Sequence, residues 1–367
     1  MAMKPAYRVL TAFIISSTIS LILYLINLIL GNPPNDLEII IISLVIFIDI
    51  FLGFIAYWLI RNLFSKRWAI LDQASYARTF RLPISNFYKS ELHESEKNQL
   101  KDILNKERSS FSNPVTNRYT SLFAEIVFPV KEDKNILVFY CHGFNDNSQN
   151  IRYKTYALAE LGYTILAWDA RGMGNSSRVG KKGEFLSRSE DALVIVEFFR
   201  TLPEFRGYQF VIIGESMGGI SAAYVMHHIP NSLQKCILIS TPAIFNQTFE
   251  RHLVFLSRKW IQRLNYRLKG INPYPAEELN KKLSPYLLFQ DLRNHYPERE
   301  WRTYTNSHFL LIHSMTDKLI SVENCTQNRE ILNLSDKNLV LFETGNHNQI
   351  KNEIGIISAI DSFLKIL

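Results

Sequence analysis

The pattern of apolar and polar positions divides the chain in two. Val9–Leu30 contains no charged residue, and Leu37–Ile60 carries only Glu38 and Asp49. At about 1.5 Å per residue, each run is long enough to cross a hydrocarbon layer of roughly 30 Å. The turn Gly31-Asn-Pro-Pro-Asn-Asp36 between them would stop any helix. Residues 1–67 are therefore expected to form a transmembrane hairpin, with spans at about 9–30 and 37–60. Lys4 and Arg8 precede the first run, and Arg61, Lys66 and Arg67 follow the second. By the positive-inside rule this would place both ends, and the remainder of the chain, in the cytoplasm. Asp49, at mid-depth of the second run, is expected to face the hydroxyls of Ser16 to Ser20 or a second copy of the hairpin.

Residues 68–118 read as a connecting region, with a polar helix over His93–Arg108 and a turn-rich stretch, Ser109–Asn117. From about residue 119 short apolar runs alternate with helical segments. The runs are Leu122–Phe128, Ile136–Tyr140, Thr164–Trp168, Phe210–Ile213, Cys236–Ile239, Phe309–Ile312 and Asn338–Phe342. Helices are predicted over Ile151–Leu161, Ser187–Thr201, Ser216–His228, Val322–Leu332 and Ile350–Leu364. This alternation predicts an α/β domain over 119–367, with a mainly parallel sheet covered on both faces. The alternation lapses between Pro242 and Ser307, and that aromatic, basic stretch is expected to form a helical cap over 242–307.

Composition adds little to this picture. The 367 residues are 47% hydrophobic and 13% aromatic, enough for a large core. The net charge of +7 is spread along the chain without blocks, zinc-finger spacing or an RNA-binding signature, so nucleic acid is not an expected partner. Cys141, Cys236 and Cys325 are odd in number and form no C-x-x-C, which points to free thiols rather than disulfides.

The chemistry centres on Gly214-Glu-Ser216-Met-Gly218, placed between the run ending at Ile213 and a helical segment. A serine on a sharp strand-to-helix turn lifts its hydroxyl above the sheet, and glycines two residues to either side relieve crowding. A serine hydroxyl becomes a nucleophile when a histidine takes its proton and a carboxylate fixes that histidine's tautomer. The order expected in such a fold is serine, acid, histidine. Asp317 lies on the loop after Phe309–Ile312, and His347 on the loop after Asn338–Phe342. Both fall at the carboxyl edge of the expected sheet, where open α/β sheets build their sites. Asp291 and Asp336 are weaker acid candidates because neither directly follows a strand. Charge developing on a substrate oxygen would be met by the amides of Phe144, in Cys141-His-Gly-Phe144-Asn145, and of Met217. His142 is expected to hold that loop in shape. Asp169-Ala-Arg-Gly-Met-Gly-Asn-Ser176 lacks phosphate-binding spacing and reads as a structural loop, and His227-His228 as a solvent-facing pair. No H-E-x-x-H or similar spacing occurs, so neither a metal nor a cofactor is expected.

On these residues the stretch from about 120 to 367 resembles the α/β-hydrolase superfamily, in particular its serine aminopeptidase-like and monoacylglycerol lipase-like branch. The resemblance is carried by His142-Gly143, by Asp169-x-Arg171-Gly-x-Gly174-x-Ser176, by Gly214-Glu-Ser-Met-Gly218-Gly, and by Asp317 and His347. It departs at Gly345-Asn-His347, where Gly-x-Gly-His is more usual. It implies an eight-stranded sheet, a cap over the pocket, and hydrolysis of an ester, amide or thioester through an acyl-enzyme. It does not choose the substrate.

The expected activity is cleavage of a small-molecule or lipid-like carboxylic ester. A peptidase, amidase or thioesterase of the same fold stands beside it, as does a silent membrane scaffold that uses the domain for binding alone. Phe249, Leu253, Leu256, Trp260 and Leu264 recur at helical spacing among six basic residues between Arg251 and Lys269. The cap is therefore expected either to pack over the pocket or to touch anionic membrane lipids. The sequence leaves the oligomeric state open.

Overall fold

In a computed structural model the described residues are 43–44, 46–49, 51–53, 55, 71–84, 94–105, 120–250, 270–272, 275–347 and 354–366. The chain divides into two compact units, Met1–Ser65 and Lys66–Leu367.

The expected membrane hairpin is corrected by the structure. Among the described residues no helix is long and apolar enough to cross a membrane. The first run, 9–30, lies outside the described residues, and the helical residues described in the second fall between 43 and 55. The cytoplasmic placement was deduced from the hairpin and falls with it. The amphipathic stretch from Leu253 onward also lies outside the described residues, which resume at Gly270.

The second unit is built on one eight-stranded sheet in the order β1-β2-β4-β3-β5-β6-β7-β8. The strands are β1 (Ala77–Leu82), β2 (Leu122–Val127), β3 (Ile136–Cys141), β4 (Thr164–Trp168), β5 (Gln209–Glu215), β6 (Lys235–Ile239), β7 (Phe309–Ser314) and β8 (Leu339–Phe342). β2 runs antiparallel to both neighbours, and all pairings from β4 across to β8 are parallel. Parallel strands need crossovers, and these supply the helices: α1 (Glu94–Leu104), α2 (Arg152–Glu160), α3 (Phe185–Thr201), α4 (Gly218–His228), α5 (Phe245–Glu250), α6 (Glu277–Leu283), α7 (Pro285–Arg293), α8 (Glu298–His308), α9 (Val322–Leu332) and α10 (Ile354–Leu364).

The central strands read as unbroken apolar runs because both of their faces are buried. Along β3, Leu137, Phe139 and Cys141 join one core, while Ile136, Val138 and Tyr140 join the other. The first core is closed by residues of α1, α3, α4, α7, α8 and α9, the second by residues of α2 and α10. β1, which the sequence reading left inside a connecting region, is an edge strand. Its arginines hid it. Arg78 lies over the Phe128 ring at 4.9 Å and donates to the Ile103 carbonyl at 2.5 Å, so the charges decorate an edge instead of breaking the strand.

Within the expected cap, 242–307, α7 and α8 pack in the layer that covers the sheet. Leu288, Phe289 and Leu292 of α7 and Trp301 of α8 sit in the first core beside Phe309 of β7. Trp301 is fully buried, and its indole N–H donates to the Ile331 carbonyl at 3.0 Å. Trp301→Ala is accordingly expected to cost about 3–5 kcal/mol and to lower Tm by roughly 10 °C in a thermal melt. A melt left unchanged would mean that α8 is a detachable cover rather than part of the fold.

Candidate active site

The site begins where β5 stops. Ser216 follows Glu215 with φ +55°, a left-handed conformation that β-carbon-bearing residues rarely hold, and Gly218 opens α4 two residues later. The turn is pinned on both sides. The Ser216 amide donates to the Ile239 carbonyl at the end of β6 at 2.8 Å, and the Gly219 amide donates to the Ser216 carbonyl at 2.9 Å. Gly218 is required by close approach, because a β-carbon there would collide with the carbonyl oxygens of Cys141 and His142. The backbone after β3 is thereby brought against the start of α4.

Asp317 occupies the loop after β7 and is buried. One carboxylate oxygen, Oδ1, accepts from the Leu319 and Ile320 amides at 2.8 and 3.0 Å. The other, Oδ2, accepts from His347 Nδ1 at 2.6 Å. Burial alone would raise its pKa, but the hydrogen bond and charge of His347, with those two amides, hold the carboxyl below its usual range. On the far side of the ring, His347 Nε2 lies 2.9 Å from Ser216 Oγ. With Nδ1 donating to the carboxylate, Nε2 is the free acceptor for the serine proton. The structure thus brings Ser216, His347 and Asp317 into one hydrogen-bonded line.

The weaker acid candidates are engaged elsewhere. Asp291, on α7, meets His227 at 2.8 Å, and Asp336 meets Arg329 at 2.6 Å. Phe144 and Met217 border the site through Phe185. The Phe144 and Phe185 rings are 5.8 Å apart, and Phe185, Met217, Ile220, Phe245, Ile271 and Leu283 form an apolar cluster with Phe144 packed against it. His142 fixes the loop after β3: its Nδ1–H donates to the Gly143 carbonyl at 2.8 Å, and its Nε2 accepts from the Ala170 amide at 3.0 Å. Asp169 plays a similar part in the next loop, accepting from the amides of Ser148 and Asn175 at 2.7 and 2.6 Å.

Sequence reasoning missed three supports. Ser314 and Thr316 donate through their hydroxyls to the Gly345 carbonyl at 2.5 and 2.9 Å, tying the histidine loop to the acid loop. His313 is buried and donates to the Ile320 carbonyl at 2.8 Å, shaping the turn that carries Asp317. Glu215, beside the serine, points to the opposite face of the sheet, where it pairs with buried Lys154 and accepts from Tyr140 Oη at 3.0 Å. Glu215 lies within the serine motif but at one of its unspecified positions, and the other two carry no motif. The nearest signal is the pair of hydroxyls flanking Met315.

Residues 132–296 match the family model Hydrolase_4, described as serine aminopeptidase, S33. The match covers 165 of the 367 residues, and it agrees with the α/β-hydrolase fold that the strand order and the serine turn describe. Among solved structures it is similar to an acylaminoacyl peptidase of Pyrococcus horikoshii, at 18% identity and TM-score 0.48, over 67% of this chain and 39% of that one. It is also similar to Est1E of Butyrivibrio proteoclasticus with bound ferulic acid, at 17% identity and TM-score 0.45, over 67% of this chain and 94% of that one. A third is an esterase of Pyrococcus furiosus, at 20% identity and TM-score 0.43, over 67% and 86% respectively. The chain spans only 33–39% of the length of the peptidase chains it matches.

Two groups near the site set its acid sensitivity. Burial pushes His313 below the ordinary histidine value of 6.5, and Asp317 lies below its ordinary 3.8. In both cases the unfolded chain binds more protons as pH falls, so the native state loses stability on acidification. The loss from His313 begins below about pH 6.5, and that from Asp317 is added below about pH 4. Urea titrations at pH 7.5, 6 and 5 are expected to show this decline, and His313→Gln to flatten it between pH 6.5 and 5. A second test concerns Glu215. Lys154→Met, which leaves that carboxylate buried and unpaired, is expected to cost about 3–5 kcal/mol, whereas the double change with Glu215→Leu costs less.

Proposed function

We propose that the chain hydrolyses a carboxylic ester of apolar, lipid-like or acyl character through an acyl-enzyme on Ser216. The observation that carries this reading is the line Ser216 Oγ–His347 Nε2–Asp317 Oδ2, with steps of 2.9 and 2.6 Å. His347 takes the hydroxyl proton as Ser216 attacks the carbonyl carbon, and Asp317 steadies the imidazolium that forms. The Phe144 and Met217 amides hold the oxygen as it becomes negative, helped by the N-terminal end of α4. Collapse returns the proton from His347 to the leaving alkoxide. Water, activated by the same histidine, then releases the acid.

The preference for an ester rests on the apolar cluster around Met217, next in sequence to the nucleophile, which suits an acyl chain better than a charged terminus. The description of the matched family favours a second reading, cleavage of an amide at a peptide N-terminus. That reading needs an acid placed to receive the substrate amine.

Labelling with a fluorophosphonate tests the nucleophile. Wild type is expected to be labelled and Ser216→Ala not, while turnover falls by about four to six powers of ten with the melt unchanged. Asp317→Asn is expected to cost somewhat less than His347→Ala. An unlabelled wild type would leave a binding scaffold. A series of p-nitrophenyl esters set against aminoacyl-anilides separates the two substrates: kcat/KM rising with acyl length supports the ester, and faster turnover of the anilides overturns it.

A further inference from the structure

Behind the loop that follows β3 lies a cavity of about 10 Å³, room for one particle of water or monoatomic-ion size. Its walls include Cys141, His142, Ala170, Gly218, Ser221 and the guanidinium of Arg188. Arg188 comes from α3 and is 4% exposed. Its Nε and Nη1 are buried, and no acceptor among the described residues lies within hydrogen-bond reach of either. Among the described residues its guanidinium lies near the Phe185 ring, 5.6 Å away, and feels the charge of Asp191 without a hydrogen bond to it.

A buried guanidinium needs a counter-charge, and the walls supply none. Asp191 is engaged bidentately by Arg171, at 2.6 and 2.8 Å. Burial pushes the Cys141 thiol up to about 12, so it stays neutral. Both ring nitrogens of His142 are occupied by backbone groups. Burial also lowers Arg188, but only to about 10, so it remains a cation at neutral pH. What the cavity does offer is donors: the guanidinium Nε and Nη1 of Arg188, and the first turn of the eleven-residue helix α4. The Ser221 proton is committed to Ser189 Oγ at 3.2 Å, because Ser189 itself donates to the Phe185 carbonyl.

We propose that this cavity is a halide site, in which a chloride-sized monovalent anion is held by Arg188 Nε and Nη1 at the first turn of α4. A carboxylate or phosphate is too large for the space. Water would satisfy the hydrogen bonds but leave the charge uncompensated.

Anion binding to the native state alone stabilises it by mass action, which gives the test. Thermal melts of the full chain would be recorded with gluconate replaced by chloride or bromide at constant ionic strength. A saturable rise in Tm of a few degrees is expected, absent when sulfate is used. Arg188→Met is expected to abolish the halide dependence, and Arg188→Lys, which keeps the charge without the forked donors, to raise the half-saturating concentration about tenfold. Should Arg188→Met not fold, Arg188→Lys and bromide-soaked crystals of the wild type keep the question open to refutation. The crystals are expected to show an anomalous peak beside Arg188. A wild-type Tm indifferent to halide, an unchanged dependence in a folded Arg188→Met, or bromide found only at the surface would each overturn the site.

Discussion

Everything in the second unit that bears on chemistry depends on one strained residue. Ser216 is held at φ +55°, a conformation that costs on the order of 1–3 kcal/mol for a side-chain-bearing residue and persists only where its surroundings over-determine it. Here they do. The preceding residue is anchored through the sheet by Lys154 and Tyr140, and the serine's own amide is tied to the end of β6. The following glycine is wedged against the carbonyls after β3. Because these restraints come from both faces of the sheet and from two neighbouring strands, the hydroxyl has one direction open to it, toward His347.

The same surroundings explain an unusual number of buried charges near the carboxyl edge. Glu125 is gripped by Arg152 through contacts of 2.7 and 3.1 Å, Glu215 by Lys154, and Asp191 by Arg171. Such pairs add little net stability compared with apolar residues of the same volume. Their effect lies in direction. Each fixes the direction of the segments it joins, and the Glu215 pair does so at the residue before the nucleophile-bearing turn. Arg188 stands apart because its partner is not supplied by the described residues, which makes it informative.

How much of this could be read from the sequence follows from where each signal comes from. The first six runs from Leu122 onward were legible because burial on both faces removes polar residues from a strand. The seventh, β8, is apolar though only half-buried, and the ends of all seven fall within about two residues of the expected positions. Ser216, Asp317 and His347 were legible because a strand-end position combined with chain order is a constraint that few residues meet. β1 was not, since an edge strand tolerates Arg78 and Arg81 on groups that face outward. The hairpin expectation is not met, since among the described residues no helix is long and apolar enough to cross a membrane. Within the stretch expected to form the cap, α7 and α8 are amphipathic, and their polar faces masked residues that belong to the main core. The hydroxyls of Ser314 and Thr316 left no trace in the pattern, since nothing local distinguishes a tether from a surface polar residue.

Those hydroxyls point to the last physical step in the arrangement. Ser216 leaves the buried strand β5, whereas His347 follows β8, a four-residue edge strand whose positions are intermediate or exposed. A short edge strand with little buried surface is poorly able to place an imidazole to within a few tenths of an ångström. The precision has to come from elsewhere, and it comes from β7. Its last residue, Ser314, and Thr316 beyond it both hold the Gly345 carbonyl, two residues before the histidine, while Asp317 on the same turn holds the imidazole itself. Gly345, at φ +117°, allows the chain to bend back between these two attachments. The acid loop therefore does two jobs, orienting the ring and positioning the backbone that bears it, and this lets the His347 imidazole sit beyond the least buried strand of the sheet.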